Sequence, residues 1–421
     1  MTTPTLETLE NGLRVVLVPC EAESVAFGLF VASGSRHETS ATAGISHFIE
    51  HMLFKGTPTH SALAITQAIE GRGGNFNAYT SEESTVFYAH LPYEYLAEAV
   101  DILSDMYLNA SIAPEEFARE REVVLEEIKM YADDPESVAA ENLQRALFPR
   151  HPLGAPVAGS AESLLALTPE DMRAYIAAHY TADRTVAVVV GRFDPAAALK
   201  LVAAKLAAPL PQAETRTLVG RPASGRRHRM PVPRFLPPVA EITATKDVQQ
   251  TQLALGYRTF GVQDERKYAA SVLDAILGRG MSSRLFQEVR EKRGLSYDIA
   301  SRMQFFADAG MFMITAGLDG AKADLACKTI DREIDRIMTR KVPAAEFRRI
   351  KEFMHGNFRL SHERVLSKMS FYGATALAFG RLVTPAEQIE GVRAVTAEDV
   401  LSVAQDIFNP DNRSVSWIKP K

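Results

Sequence analysis

Cysteine is almost missing from this sequence: only Cys20 and Cys327 occur in 421 residues. So far apart, they imply no disulfide framework and suit a reducing, cytoplasmic setting. Long apolar runs are missing too, and no stretch reaches the length that a membrane-spanning helix needs. Met1 to Glu10 contains Glu7 and Glu10, no basic cluster and no apolar run, so no signal peptide is expected. Positive charge is not in excess either, since 47 Lys and Arg stand against 52 Asp and Glu, a formal net charge of -5. No nucleic-acid or membrane partner is therefore expected. The remainder, 46% hydrophobic and 24% charged, is ordinary globular composition, long enough for two or more domains.

Against that plain background one stretch stands out. His47-Phe48-Ile49-Glu50-His51 reads H-x-x-E-H, the signature of inverzincin metallopeptidases. Gly44 and Ser46 mark the start of a helix, and Lys55-Gly56-Thr57-Pro58 marks its end. On a helix, positions four apart share a face, so His47 and His51 can reach one ion. Glu50 lies beside that face without being needed as a ligand. This suits a carboxylate that takes a proton from a water activated by the metal. Ile45, Phe48, Ile49, Met52, Leu53 and Phe54 are apolar and draw the helix inward, where a buried imidazole needs a partner.

A catalytic zinc takes three protein ligands and keeps one position open, so a third ligand must come from elsewhere. An acidic helix opening at Pro114 carries four candidates, Glu120, Glu122, Glu126 and Glu127. At 100° per residue, Phe117, Val124, Ile128 and Tyr131 define its apolar face. Glu120 and Glu127 lie together on one edge of that face, two turns apart, and are the pair that can enter a shared site. Glu122 and Glu126 point away and read as a solvated face paired with Arg121 and Lys129.

Between these helices, Asn75 to Ala89 is rich in aromatic, β-branched and small residues after Gly71-Arg72-Gly73-Gly74, and reads as a β-hairpin. Its first strand is either ordinary or an edge to which a peptide adds by main-chain hydrogen bonds. Pro209 to Pro238 is proline-rich and reads as a linker or an extended crossing arm, with a basic cluster at Arg226-Arg227-His228-Arg229. Beyond it the order of elements repeats. Val342-Pro343-Ala344-Ala345-Glu346-Phe347 resembles Ile112-Ala113-Pro114-Glu115-Glu116-Phe117. With Phe117 set on Phe347, Glu127 falls on Asn357 and Glu120 on Ile350, and the second half has no H-x-x-E-H. It is expected to keep the shape without the metal site.

These residues resemble the pitrilysin and mitochondrial processing peptidase family of zinc metallopeptidases, in its short, two-domain, beta-subunit-like form. The resemblance rests on the H-x-x-E-H stretch with Phe54-Lys55-Gly56-Thr57, and on Asn77-Ala78-Tyr79-Thr80-Ser81-Glu82. It rests also on Glu120 to Glu127, Ser283 to Arg290 and Gly294-Leu295-Ser296-Tyr297. It implies an α+β fold of two similar α/β domains, each a largely antiparallel sheet covered by helices, together half of a clamshell. The domains would be 1–208, holding the metal, and 239–421, non-catalytic but contributing substrate-binding residues, joined by 209–238. His47, His51 and Glu127 are implied as Zn2+ ligands, Glu50 as general base and Glu120 as a supporting carboxylate. Asn77, Ala78 and Tyr79 would lie against the substrate, and Arg290 and Tyr297 would reach in to bind it. A phenol and a guanidinium suit an oxyanion and a peptide carbonyl. The implied activity is a processing-type endopeptidase in a chamber closed by a second subunit, as a homodimer or with a homologous partner. A non-catalytic scaffold or a binding module for unfolded segments is the competing class, and the intact motifs weigh against it.

Overall fold

The computed structural model describes residues 3–207 and 235–421, which form two compact units. The stretch read as a linker over 209–238 lies outside the described residues except for 235–238, and the basic cluster at 226–229 lies wholly outside them.

The first unit is built on a six-stranded sheet. Its strands are β1 (Thr5–Thr8), β2 (Arg14–Pro19), β3 (Ser24–Val31), β4 (Asn75–Thr80), β5 (Thr85–Pro92) and β6 (Thr185–Gly191). They are ordered β1-β2-β6-β3-β5-β4, all antiparallel except the β2–β6 pair. β6, Thr-Val-Ala-Val-Val-Val-Gly, is buried at every residue, because both faces of the sheet are covered. Alternation sends Ala187 and Val189 to one face and Val186, Val188 and Val190 to the other. The first face is covered by α1 (Ile45–Leu53), α2 (Ala62–Glu70), α3 (Leu96–Asn109), the first part of α4 (Pro114–Asp133), α7 (Pro169–His179) and α8 (Pro195–Leu206).

The second unit repeats the plan. Its strands are β7 (Glu241–Lys246), β8 (Thr251–Thr259), β9 (Ser296–Phe305), β10 (Gly310–Leu318) and β11 (Arg413–Pro420), ordered β7-β11-β8-β10-β9. Set on the first sheet, β7-β11-β8-β10-β9 falls on β2-β6-β3-β5-β4, and β7–β11 is again the single parallel pair. One face carries α9 (Lys267–Gly278), α10 (Ala323–Thr339) and α14 (Ala397–Ile407) around Leu255, Leu273, Phe312 and Ile330. The expected α+β fold of two similar, largely antiparallel sheets covered by helices is therefore observed.

The unit boundaries depart from a division into 1–208 and 239–421. Residues 129–154, with α5 (Pro135–Leu147), belong to the second unit, and Arg359–Val383, with α12 (Val365–Phe379), belongs to the first. The reason is the second face of each sheet. Val16, Val18, Val186, Val188 and Val190 are covered by Val365, Met369, Tyr372 and Ala376 of α12. Ala254, Met311 and Ile418 are covered by Ala139, Leu143 and Leu147 of α5. Each sheet is thus capped by a helix that follows the long helix of the other half of the sequence, which no local pattern reveals.

Gly373 reports on this arrangement. A Cβ built there would sit 2.4 Å from the Phe30 ring, which is 1% exposed. Helix propensity alone predicts that Gly373→Ala stabilises by about 0.5–1 kcal/mol. The clash reverses the sign, and a net loss of about 1–3 kcal/mol is expected, read as a lower denaturant midpoint. A rise in the midpoint would mean that α12 does not press on Phe30.

Candidate metal centre

The helix of the H-x-x-E-H stretch, α1, begins where its backbone is held from outside. Gly44 has φ +89°, and the Glu38 carboxylate accepts from the Gly44 and Ser46 N–H groups at 2.7 and 2.8 Å, satisfying donors that the first turn cannot pair. A Cβ on Gly44 would lie 2.6 Å from the Ala158 carbonyl oxygen, and one on Gly159 would lie 2.5 Å from that of Ala43. The start of α1 and the 158–159 loop therefore touch backbone to backbone. Ile45, Phe48, Ile49, Met52 and Leu53 are buried, which turns His47, Glu50 and His51 to the opposite side.

α4 approaches with a mixed face. Phe117 and Val124 are buried, and the Phe117 ring meets that of Phe48 at 4.7 Å between centres. Glu120 is buried on the same face, whereas Glu122 and Glu126 are exposed. The apolar face ends earlier than the sequence suggests, since Tyr131 is 42% exposed.

His47, His51 and Glu127 come together so that one ligand atom of each lies within 4.8 Å of the others. Glu127 Oε2 is 3.7 Å from His47 Nε2 and 3.3 Å from His51 Nε2. Tetrahedral zinc with bonds of about 2.0–2.2 Å separates its ligand atoms by roughly 3.4 Å, so the donors fit the ion in number, type and spacing. Burial, helped by the neighbouring His51, pushes the His47 imidazole down to about 4, which leaves a neutral ring with a lone pair to give. His47 Nδ1 is buried without a hydrogen-bond partner among the described residues.

Around these donors stands a second layer. Glu120 Oε2 lies 3.4 Å from His51 Nδ1. Because a carboxylate only accepts, Glu120 suits a ring that carries its proton on Nδ1, the tautomer in which Nε2 would be the donor to a metal. Lys55 Nζ reaches the other Glu120 oxygen at 2.6 Å. Glu50 Oε2 accepts from Thr80 Oγ1 at 2.6 Å, and burial raises the proton affinity of this carboxylate. Thr80, Lys55 and Glu38 are missed by reasoning on metal-ligating and acid-base residue types. Lys55 and Thr80 do lie inside the motifs quoted for the family resemblance.

Asn77, Ala78 and Tyr79 lie on β4, the edge strand of the first sheet, with Asn77 and Tyr79 exposed. In the second unit Arg290 lies on a π-helical turn, Phe286–Glu291, and Tyr297 lies on the edge strand β9 with 77% exposure. The Arg290 guanidinium is 4.6 Å from the ring centre of Phe286 and 5.1 Å from that of Tyr297. The two residues singled out there do meet each other.

An H-x-x-E-H helix facing a glutamate from a second helix, on this duplicated fold, defines a metallopeptidase. Comparison with known proteins narrows the class. The model of the insulinase family, peptidase family M16, matches residues 14–161, and that of the peptidase M16 inactive domain matches residues 166–354. A Bacillus subtilis protein named an uncharacterized zinc protease is 36% identical over 405 residues, spanning 96% of this chain and 95% of its own length. One so named in Mycobacterium bovis is 37% identical over 409 residues, spanning 96% and 91%. A solved protease from Helicobacter pylori shares the fold with a TM-score of 0.90 at 22% identity, covering 99% of both chains. The chain belongs to peptidase family M16 and is a metalloprotease.

Replacing the two glutamates of α4 that face the histidines should separate their contributions. Glu127→Ala removes a donor and is expected to abolish stoichiometric zinc binding. Glu120→Gln alters only the partner of His51 and should weaken affinity by about 10–100-fold. Zinc content after equilibration with a competing chelator measures both, and equal losses in the two variants would contradict the assignment.

Proposed function

We propose that this protein is a zinc-dependent endopeptidase of the processing type, acting on peptides or unfolded segments in a chamber closed by a second subunit. The observation that carries the reading is the approach of both imidazole Nε2 atoms to Glu127 Oε2, with Glu50 at hand but not required as a donor. His47, His51 and Glu127 would hold the zinc. When bound, it supplies a Lewis acid that acidifies a water and polarises a carbonyl.

The chain's own groups carry the remaining work. Glu50 receives a proton from the attacking water and returns it to the leaving amine. Glu120 keeps His51 in the tautomer that presents Nε2. β4 offers an edge without a strand partner among the described residues, on which an extended substrate can lie with Asn77, Ala78 and Tyr79 along it. Arg290 would hold a peptide carbonyl and Tyr297 would donate to the developing oxyanion. Support for that pairing is their mutual contact and the exposure of Tyr297.

The working form in this reading is a homodimer, with a homologous partner subunit as the variant arrangement. Arg290 and Tyr297 complete a metal site in their own subunit or in the partner. The setting is cytoplasmic, supported by two free cysteines, and among the described residues no helix is long and apolar enough to cross a membrane.

Glu50→Gln should retain zinc and lose turnover of a quenched fluorescent peptide by at least about 100-fold, the scale of a lost general base. Normal cleavage by this variant would remove the role given to Glu50. Mixing inactive His47→Ala with inactive Arg290→Ala should restore activity if the second unit completes its partner's site. Activity that stays absent would place Arg290 and the metal in the same subunit.

A further inference from the structure

Thr80 holds the proposed base, and it does so from the end of the proposed substrate strand. We infer that Thr80 is a positioning residue for Glu50, so that the carboxylate is aimed from the last residue of the strand on which a peptide would lie. The inference rests on the endopeptidase reading above.

A glutamate carboxyl turns easily about its last torsion, which has broad minima. A base needs one oxygen aimed at the water. Among the described residues the bond from Thr80 Oγ1 to Glu50 Oε2 is the only hydrogen bond this carboxylate receives. At 2.6 Å it is a short, charge-assisted bond. It occupies Oε2 and leaves Oε1 to take the proton.

Both ends of this bond are fastened by one segment, residues 33–38. On the Thr80 side, Thr80 pairs with Thr85, whose Oγ1 donates to the Ser33 carbonyl at 2.8 Å. The turn that follows is gripped by the Ser35 and Arg36 N–H groups, which donate to the Ser81 and Glu82 carbonyls at 3.2 and 2.7 Å. Arg36 also pairs with Glu83 at 2.6 Å. On the Glu50 side, Glu38 caps the helix that carries the base. Movement of the strand end relative to the helix must therefore break several bonds together.

β4 is an edge, and Thr80 is its last residue. An extended peptide joining this edge pairs with the strand that ends on the residue holding the base. Order imposed on β4 by the substrate passes to Glu50 through one hydroxyl.

The test uses the full chain loaded with zinc, a quenched fluorescent peptide, and the variants Thr80→Val and Thr80→Ser. Thr80→Val should keep full zinc content and a KM within about twofold, while kcat falls about 10–100-fold, the worth of a hydrogen bond to a charged group. Thr80→Ser should recover kcat to within about threefold, because the hydroxyl remains. In metal-free protein, Thr80→Val and Glu50→Ala together should lower the melting temperature by less than the sum of their separate effects. Four results would overturn the inference: unchanged kcat in Thr80→Val, loss of zinc, a KM rise that accounts for the whole loss, or strictly additive melting shifts. If instead Glu50→Gln cleaves normally, the endopeptidase reading fails, and the melting cycle still reports separately on the Thr80 bond.

Discussion

Two imidazoles and a carboxylate aimed at one point from two helices form the constraint around which the first unit is organised. Neither helix supplies the site alone. α1 brings His47 and His51 by its own periodicity, whereas Glu127 arrives from a helix more than seventy positions away in sequence. The geometry survives only if α1 and α4 keep a fixed separation. Phe48 against Phe117 serves that end directly, while the Glu38 cap and the Gly44–Gly159 contact hold the start of α1. Each fixes a different coordinate of α1: its distance from α4, the direction of its first turn, and its position along its own axis.

The second unit shows what the same architecture looks like without that constraint. Its strands follow the same order, but α9 stands in the place of α1 and buries Ala270, Val272, Leu273 and Ile276, with one buried carboxylate, Asp274, held by Arg279 and Ser301. At the positions that match Glu120 and Glu127, Ile350 is buried and Asn357 is exposed. A buried carboxylate needs compensating partners, and in α4 these are His51 and Lys55. With no such partners called for, isoleucine fills the equivalent position in α11 (Ala344–Ser361) as core.

Much of this was open to reading in the chain itself. Period 3.6 places His47 and His51 together and separates Glu120 and Glu127 from Glu122 and Glu126, because a helix face is fixed by local geometry. The Asn75–Ala89 hairpin is likewise a local signal. Three things are not local. The exchange of α5 and α12 depends on which apolar face needs cover, and apolar residues do not name their partners. Tyr131 belongs to an apolar stripe by spacing but is exposed because α4 runs past the core it covers. Thr80 and Lys55 act through one polar contact each to another element and Glu38 through two, so their worth depends on tertiary distance. β11, Arg-Ser-Val-Ser-Trp-Ile-Lys-Pro, is a different case: its burial alternates against its polarity, with Ser414 and Ser416 buried and Val415 and Trp417 only half-buried.

The exchanged helices have a further consequence for how this chain comes to exist. A polypeptide emerging from the ribosome presents the valine face of its first sheet long before residue 365 is made. Until then Val186, Val188 and Val190 lack the cover that α12 gives them. The first sheet therefore matures only when synthesis is nearly complete, and a gene split between the two sequence halves would yield fragments that each display a bare apolar wall. Evolution can duplicate such a unit, but once the helices are traded the copies are no longer separable.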